Sequence, residues 1–138
     1  MSSTVWRKSI LGLCFLAASA PVEAHHSFAM YDYDHQITLT GKVTKFEWSN
    51  PHAFIELDVA ADGVYRHYNI ECASPNLLTR VGWKYNELKP GDRVRLTVNP
   101  PKNGNSGGML ERITFPDGRV LENGNSGLRQ RQKEGPQP

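Results

Sequence analysis

From Gln36 to Trp48 apolar and polar residues alternate, first with Ile37, Leu39 and Val43 in one phase and then with Phe46 and Trp48 in the other. Alternation of period two predicts a strand, and the change of phase predicts a bulge, with Gly41 standing where a coiled strand would bend. Phe54, Leu57 and Val59 begin a second strand, for which a slip of its own is expected near Ile55. Ala61-Asp62-Gly63 carries the Asp-Gly hairpin signal. Val64 to Cys72 then reads as a third strand with Tyr65, Tyr68 and Ile70. The period changes after Cys72. Ser74 can cap a short helix, Pro75 suits its first turn, Leu77, Leu78 and Val81 make the apolar stripe, and Gly82 supplies the stop. Leu88 to Asp92 is a turn, and Arg93 to Asn99 is a fourth strand with Val94, Leu96 and Val98 on one face. Pro100 to Gly108 reads as a loop and Met109 to Phe115 as a fifth strand. Pro116-Asp117-Gly118 turns the chain into a short return strand, Arg119 to Leu121.

Three strands, a helix and two further strands are the connectivity of the OB-fold, a small all-β Greek-key barrel of five strands with one short helix between strands 3 and 4. The barrel domain is placed at residues 36–121. Residues 25–35, His-His-Ser-Phe-Ala-Met-Tyr-Asp-Tyr-Asp-His, have neither period and are expected to form an extended N-terminal arm lying on the barrel. From Glu122 the chain has almost no apolar residues, so 122–138 is expected to be a solvated, disordered tail. The pentapeptide Asn103 to Gly107 recurs at Asn123 to Gly127, and two copies of a turn-rich segment make loop composition rather than a repeat architecture.

The first 24 residues have the three parts of a secretory signal: Arg7 and Lys8, an apolar run from Ile10 to Ala18, and small residues to Ala24. That run is far short of the about 20 residues that span a bilayer. Cleavage after Ala20 would leave Pro21 first, which signal peptidases tolerate poorly, so cleavage after Ala24 is favoured, and it leaves His25 first. The expected location is the periplasm, with no membrane span after signal removal. Loss of the signal leaves 14 basic against 13 acidic residues, a net +1, which argues against a nucleic-acid partner. Cys14 leaves with the signal. Cys72 then remains alone, without an internal disulfide, and reads as a small buried hydrophobe.

The candidate chemistry lies in the histidines. With cleavage after Ala24, His25 gains a free amine, and the amine and imidazole nitrogens can chelate one metal ion. His26 lies beside it, and His52, in the Trp48-Ser49-Asn50-Pro51-His52-Ala53-Phe54 segment, could add a third nitrogen. A nitrogen set of this kind suits Cu(II), which tops the affinity order for such ligands. A different grouping, His52 with the Met30 thioether and the Trp48 face, with or without Cys72, suits Cu(I). His67 is read as a solvent-facing strand residue, and His35, next to Asp34, is expected to make a local hydrogen bond at the strand entrance. The metal reading meets a distance problem, because the first strand starts and ends at opposite poles. The arm would have to run back along it, and eleven extended residues reach at most about 35–40 Å. The alternative is a metal-free interaction module for an envelope protein or small ligand, using the barrel face around Trp48, Asn50, Phe54 and Trp83. No catalytic set stands out: Ser27, Ser49 and Ser74 lack nucleophile context, and Asp32, Asp34, Glu47 and Glu71 form no acid–base motif.

His25-His26-Ser27, Gly41, Asn50-Pro51-His52, Ser74-Pro75-Asn76 and Leu88-Lys89-Pro90-Gly91-Asp92 together resemble the pattern of a family of small exported bacterial proteins of unknown function. The resemblance implies a periplasmic barrel domain and carries no activity across. The expected architecture is also similar to that of a periplasmic copper metallochaperone of silver and copper efflux systems, whose methionine-rich pattern is absent here, since Met30 and Met109 lie in unrelated elements.

Overall fold

The computed structural model describes residues 30–124. The expected signal segment, the arm up to residue 29 and the chain from residue 125 lie outside the described residues. Six strands and one helix follow in the order β1 (Ile37–Glu47), β2 (Phe54–Ala61), β3 (Val64–Glu71), α1 (Pro75–Arg80), β4 (Arg93–Asn99), β5 (Gly107–Thr114) and β6 (Val120–Glu122).

Local signals account for the element ends. In the β2–β3 hairpin Asp62 and Gly63 both take positive φ, 52° and 76°, the pair of left-handed conformations that matches the twist of the flanking strands. The Ser74 side chain accepts from the Leu77 amide, Pro75 occupies the first turn and Gly82 leaves the helix at φ 97°. β1 does change phase. Its register against β2 shifts between Val43 and Lys45, after Gly41, where a Cβ would lie 2.4 Å from the Asp58 carbonyl oxygen. The slip expected near Ile55 does not occur. β2 pairs with β3 without a break from Phe54 opposite Glu71 to Ala61 opposite Val64, and Ile55 and Leu57 point into the core in one phase.

β1, β2 and β3 form an antiparallel meander. β4 lies antiparallel to β1 and β5 antiparallel to β4. The barrel closes where β3 meets β5 in parallel, Asn69 beside Gly107 and Glu71 beside Met109. This is the OB connectivity, a five-stranded closed barrel with one short helix after β3. β6 continues the same edge of β5 beyond the β3 contact, with Leu121 opposite Ile113. Val43, Ile55, Leu57, Ile70, Leu96, Val98, Leu110 and Ile113 fill the interior, and Leu78 and Trp83 close one end.

The expected return strand forms, and the ordered chain runs past it through Glu122 and Asn123, the first residues of the expected tail. The Trp83 indole donates to the Glu122 carbonyl at 2.8 Å. Asn123 is buried: its side-chain oxygen accepts the Ala73 amide at 2.7 Å, and its own amide donates to the Glu111 carbonyl.

Closing a sheet into a barrel needs a stagger between first and last strand, and this sets the level of the arm. Ile37 lies beside Val98; the next residue, Asn99, faces Met109; Met109 faces Glu71, Glu71 faces Phe54, and Phe54 faces Glu47 at the other end of β1. One circuit of the barrel therefore brings the start of β1 to the level of its finish. The distance problem posed by opposite poles disappears, because the arm need not run back along β1.

Candidate functional site

At that shared level the chain gathers its buried polar groups. The loop between β1 and β2 contains a cis Asn50–Pro51 peptide and is tied down just after it. The Ala53 amide donates to the Ala73 carbonyl at 3.2 Å, and the Cys72 amide donates to the Ala53 carbonyl at 2.8 Å. His52 is thus held beside the end of β3. The Ser49 hydroxyl spans the loop, within hydrogen-bond distance of the Glu47 carboxylate (3.1 Å) and the His52 carbonyl (3.2 Å).

Glu71 is the centre of the site. It stands in a run of four buried residues, Ile70 to Ala73, where strand alternation gives way to covering on both sides of the wall. One carboxylate oxygen takes the Tyr31 hydroxyl at 2.7 Å and the other takes His52 Nδ1 at 2.5 Å. Nδ1 is therefore the ring nitrogen engaged by the carboxylate, and Nε2 is the one left to other partners. Nε2 has no partner among the described residues, and the His52 side chain is 25% exposed. The carboxylate thus anchors the ring of a partly exposed histidine through one nitrogen.

Tyr31 arrives from the arm. Its backbone bridges to Pro101, the Asp32 amide donates to the Pro100 carbonyl, and the Lys102 amide donates to the Met30 carbonyl. The buried Asn99 amide holds the carbonyls of Asp32 (3.3 Å) and His35 (2.8 Å). Burial, reinforced by the hydrogen bond and charge of Glu71, pushes the Tyr31 phenol far above its ordinary value, so it stays a neutral donor. The same burial, with the Glu71 charge second, pushes the Cys72 thiol up. Cys72 is fully buried with its sulfur 3.9 Å from the Ile70 carbonyl. That is the small hydrophobe read from the sequence, and it places the thiol outside any surface ligand set.

The remaining candidates scatter. Trp48 is half-buried, edge-on to Phe46 with ring centroids 5.7 Å apart, and Phe46 in turn leans on Trp83 at 6.1 Å. Trp83 is a core residue, 2% exposed, so it does not share an open face with Trp48, Asn50 and Phe54 as the interaction-module reading required. Asn50 is exposed in the loop and Phe54 half-buried at the start of β2. His35 makes the expected local hydrogen bond, to Asp32 at 2.8 Å, and this bond is the main reason the Asp32 carboxyl sits below its usual range. His67 faces solvent and bonds Asp58. Met30 is exposed. His25 and His26 lie outside the described residues. Among the described residues no three His, Cys, Asp or Glu side chains are grouped to hold a metal ion.

Sequence reasoning missed Tyr31 and Glu71. The one usable signal was position: an acid between Ile70 and Cys72, in a stretch where apolar residues stop alternating, has to be buried and therefore partnered.

Residues 14–111 match a family of unknown function, DUF6152, and the chain belongs to that family. The match ends inside β5, before β6 and Asn123. No curated protein matches the chain. Among solved structures, the mitochondrial single-stranded DNA binding protein Rim1 of S. cerevisiae is similar at 13% identity and a TM-score of 0.43, over 65% of this chain and 97% of that one.

Proposed function

For this member of a family of unknown function, we propose an exported protein of the periplasm whose His52 pole binds a transition-metal ion, with copper as the metal and His25 and His26 completing the ligand set. The observation that carries the reading is the double use of Glu71: the same carboxylate anchors the partly exposed His52 through Nδ1 and holds Tyr31 of the arm beside it. A carboxylate behind a histidine is the arrangement that raises ligand basicity and fixes ring direction in metal sites. His26 lies five residues before Tyr31, and five extended residues reach at most about 18 Å, so both N-terminal histidines can return to the His52 surface. Two imidazoles and a terminal amine joined by His52 form a nitrogen set that favours Cu(II) over the other divalent first-row ions. Trp48 is the neighbouring aromatic group, and Cys72 takes no part.

Intact-mass spectrometry of protein recovered from the periplasm, run native with copper added, tests the reading. A chain that starts at His25 is expected to take up one copper ion, and His52→Ala is expected to abolish that uptake while leaving the circular dichroism of the barrel unchanged. Copper uptake that survives His52→Ala would overturn the proposal.

A further inference from the structure

The outer face of β1, β4 and β5 is built from threonines and cations. Thr40 lies opposite Arg95, Arg95 opposite Thr114, and Lys42 opposite Arg93. Two like charges directly across a ladder destabilise a sheet, and Arg93 and Arg95, two positions apart on one strand, add a third cation within about 7 Å. Among the described residues none of the three forms an ion pair, and the carboxylates that border a cleft with Arg93, those of Glu87, Asp92 and Asp117, bond elsewhere. Glu87 pairs with Arg119 at 2.6 Å, Asp92 accepts the Lys89 amide, and Asp117 accepts the Arg119 amide. Some exposed charges elsewhere on the barrel do pair, as in Lys45 with Glu47 and His67 with Asp58.

These groups converge on a groove of about 360 Å³ lined by Thr40, Arg93, Arg95, Thr114 and Phe115. Its polar side chains are two guanidinium forks and two hydroxyls, with no carboxylate among them. Guanidinium groups and hydroxyls match the oxygens of a phosphoryl group, and arginine can address two of them at once. Phe115 adds an apolar wall, already covered on one side by Arg119 at 3.9 Å from the ring centroid.

We propose that this groove is an oxyanion site for a phosphoryl group carried on a small organic moiety that rests against Phe115. It is separate from the His52 pole and does not depend on the metal reading.

The test is a titration of the isotope-labelled chain followed by amide chemical shifts, with phenyl phosphate as one probe and vesicles of phosphatidylcholine and phosphatidylglycerol as the other. Saturable shifts at Thr40, Arg95 and Thr114 with phenyl phosphate are expected. Arg95→Gln should weaken them at least tenfold, and Arg66→Gln, which removes a cation on β3, should leave them unchanged. Lys42→Gln is a second variant that should weaken binding about threefold. Binding confined to the vesicles, and lost in Arg95→Gln, would keep the phosphoryl chemistry and assign it to a lipid headgroup. Absence of saturable shifts with both probes, or equal weakening by Arg66→Gln, overturns the site.

Discussion

At the end of β3 the Glu71 carboxylate is buried and has a partner on each oxygen, whereas on the outer side of β4 Arg93 and Arg95 stand exposed beside Lys42 without a carboxylate partner among the described residues. A buried charge without partners costs several kcal/mol, so the carboxylate and its two donors are held as one unit. Exposed cations incur no such penalty, since water solvates them, and the fold tolerates their repulsion. The first arrangement makes stability depend on every member. The second leaves stability nearly indifferent and leaves the interaction to a ligand.

This contrast can be broken by substitution. The largest effect is expected from Glu71→Ala, which strands His52 Nδ1 and the buried Tyr31 hydroxyl; urea unfolding should show a loss of about 3 kcal/mol. A loss below about 1 kcal/mol would show that the unit is not held together. Tyr31→Phe removes one donor and is expected to cost about 1 kcal/mol at neutral pH.

Tyr31→Phe also changes the alkaline limb. The folded protein holds the phenol above its ordinary value of about 10, so folding favours the protonated form. Its contribution is complete below pH 10 and is lost as pH rises above it. Tyr31→Phe should therefore lose less stability than the parent between neutral pH and pH 11. Cys72, raised in the same direction, acts alike in both proteins and cancels in the difference. On the open face, Lys42→Glu should stabilise by about 0.5 kcal/mol, because it places a carboxylate opposite Arg93. Smallest of all, Arg95→Gln should move the unfolding midpoint by less than about 0.5 kcal/mol, even as it weakens phosphoryl binding.

The two regions also differ in how far the sequence revealed them. Strands, hairpin and helix could be read because each rests on residues close together: the alternation of Val94, Leu96 and Val98, the Asp62-Gly63 turn, and Ser74 with Pro75. The bulge in β1 could be read from the change of phase before Phe46. No slip occurs near Ile55 because Phe54 and Leu57 face opposite sides of an unbroken strand whose core phase is set by Ile55 and Leu57. His52 stood out by its loop, but its partners did not. Tyr31 and Glu71 are 40 residues apart, and only the stagger of the closed barrel brings them together. Trp83 was taken for a surface aromatic because its partner is a backbone carbonyl on β6, 39 residues away. The groove is less legible for a related reason: Arg93 and Arg95 share β4, but Thr40 and Thr114 reach them only through the β1–β4 and β4–β5 pairings, and the balanced net charge hides the local excess of cations.

Asn123 gives the fold a timetable. It fastens the start of the helix, through the Ala73 amide 50 residues earlier, to β5 through Glu111. A ribosome delivers the chain from the amino end, so every core strand is made before this fastener exists. Contacts this distant in sequence form late and slowly. A chain that ends at Leu121 would hold every core strand but leave the Ala73 amide open at the mouth of the helix, so the two residues after Leu121 complete the fastening.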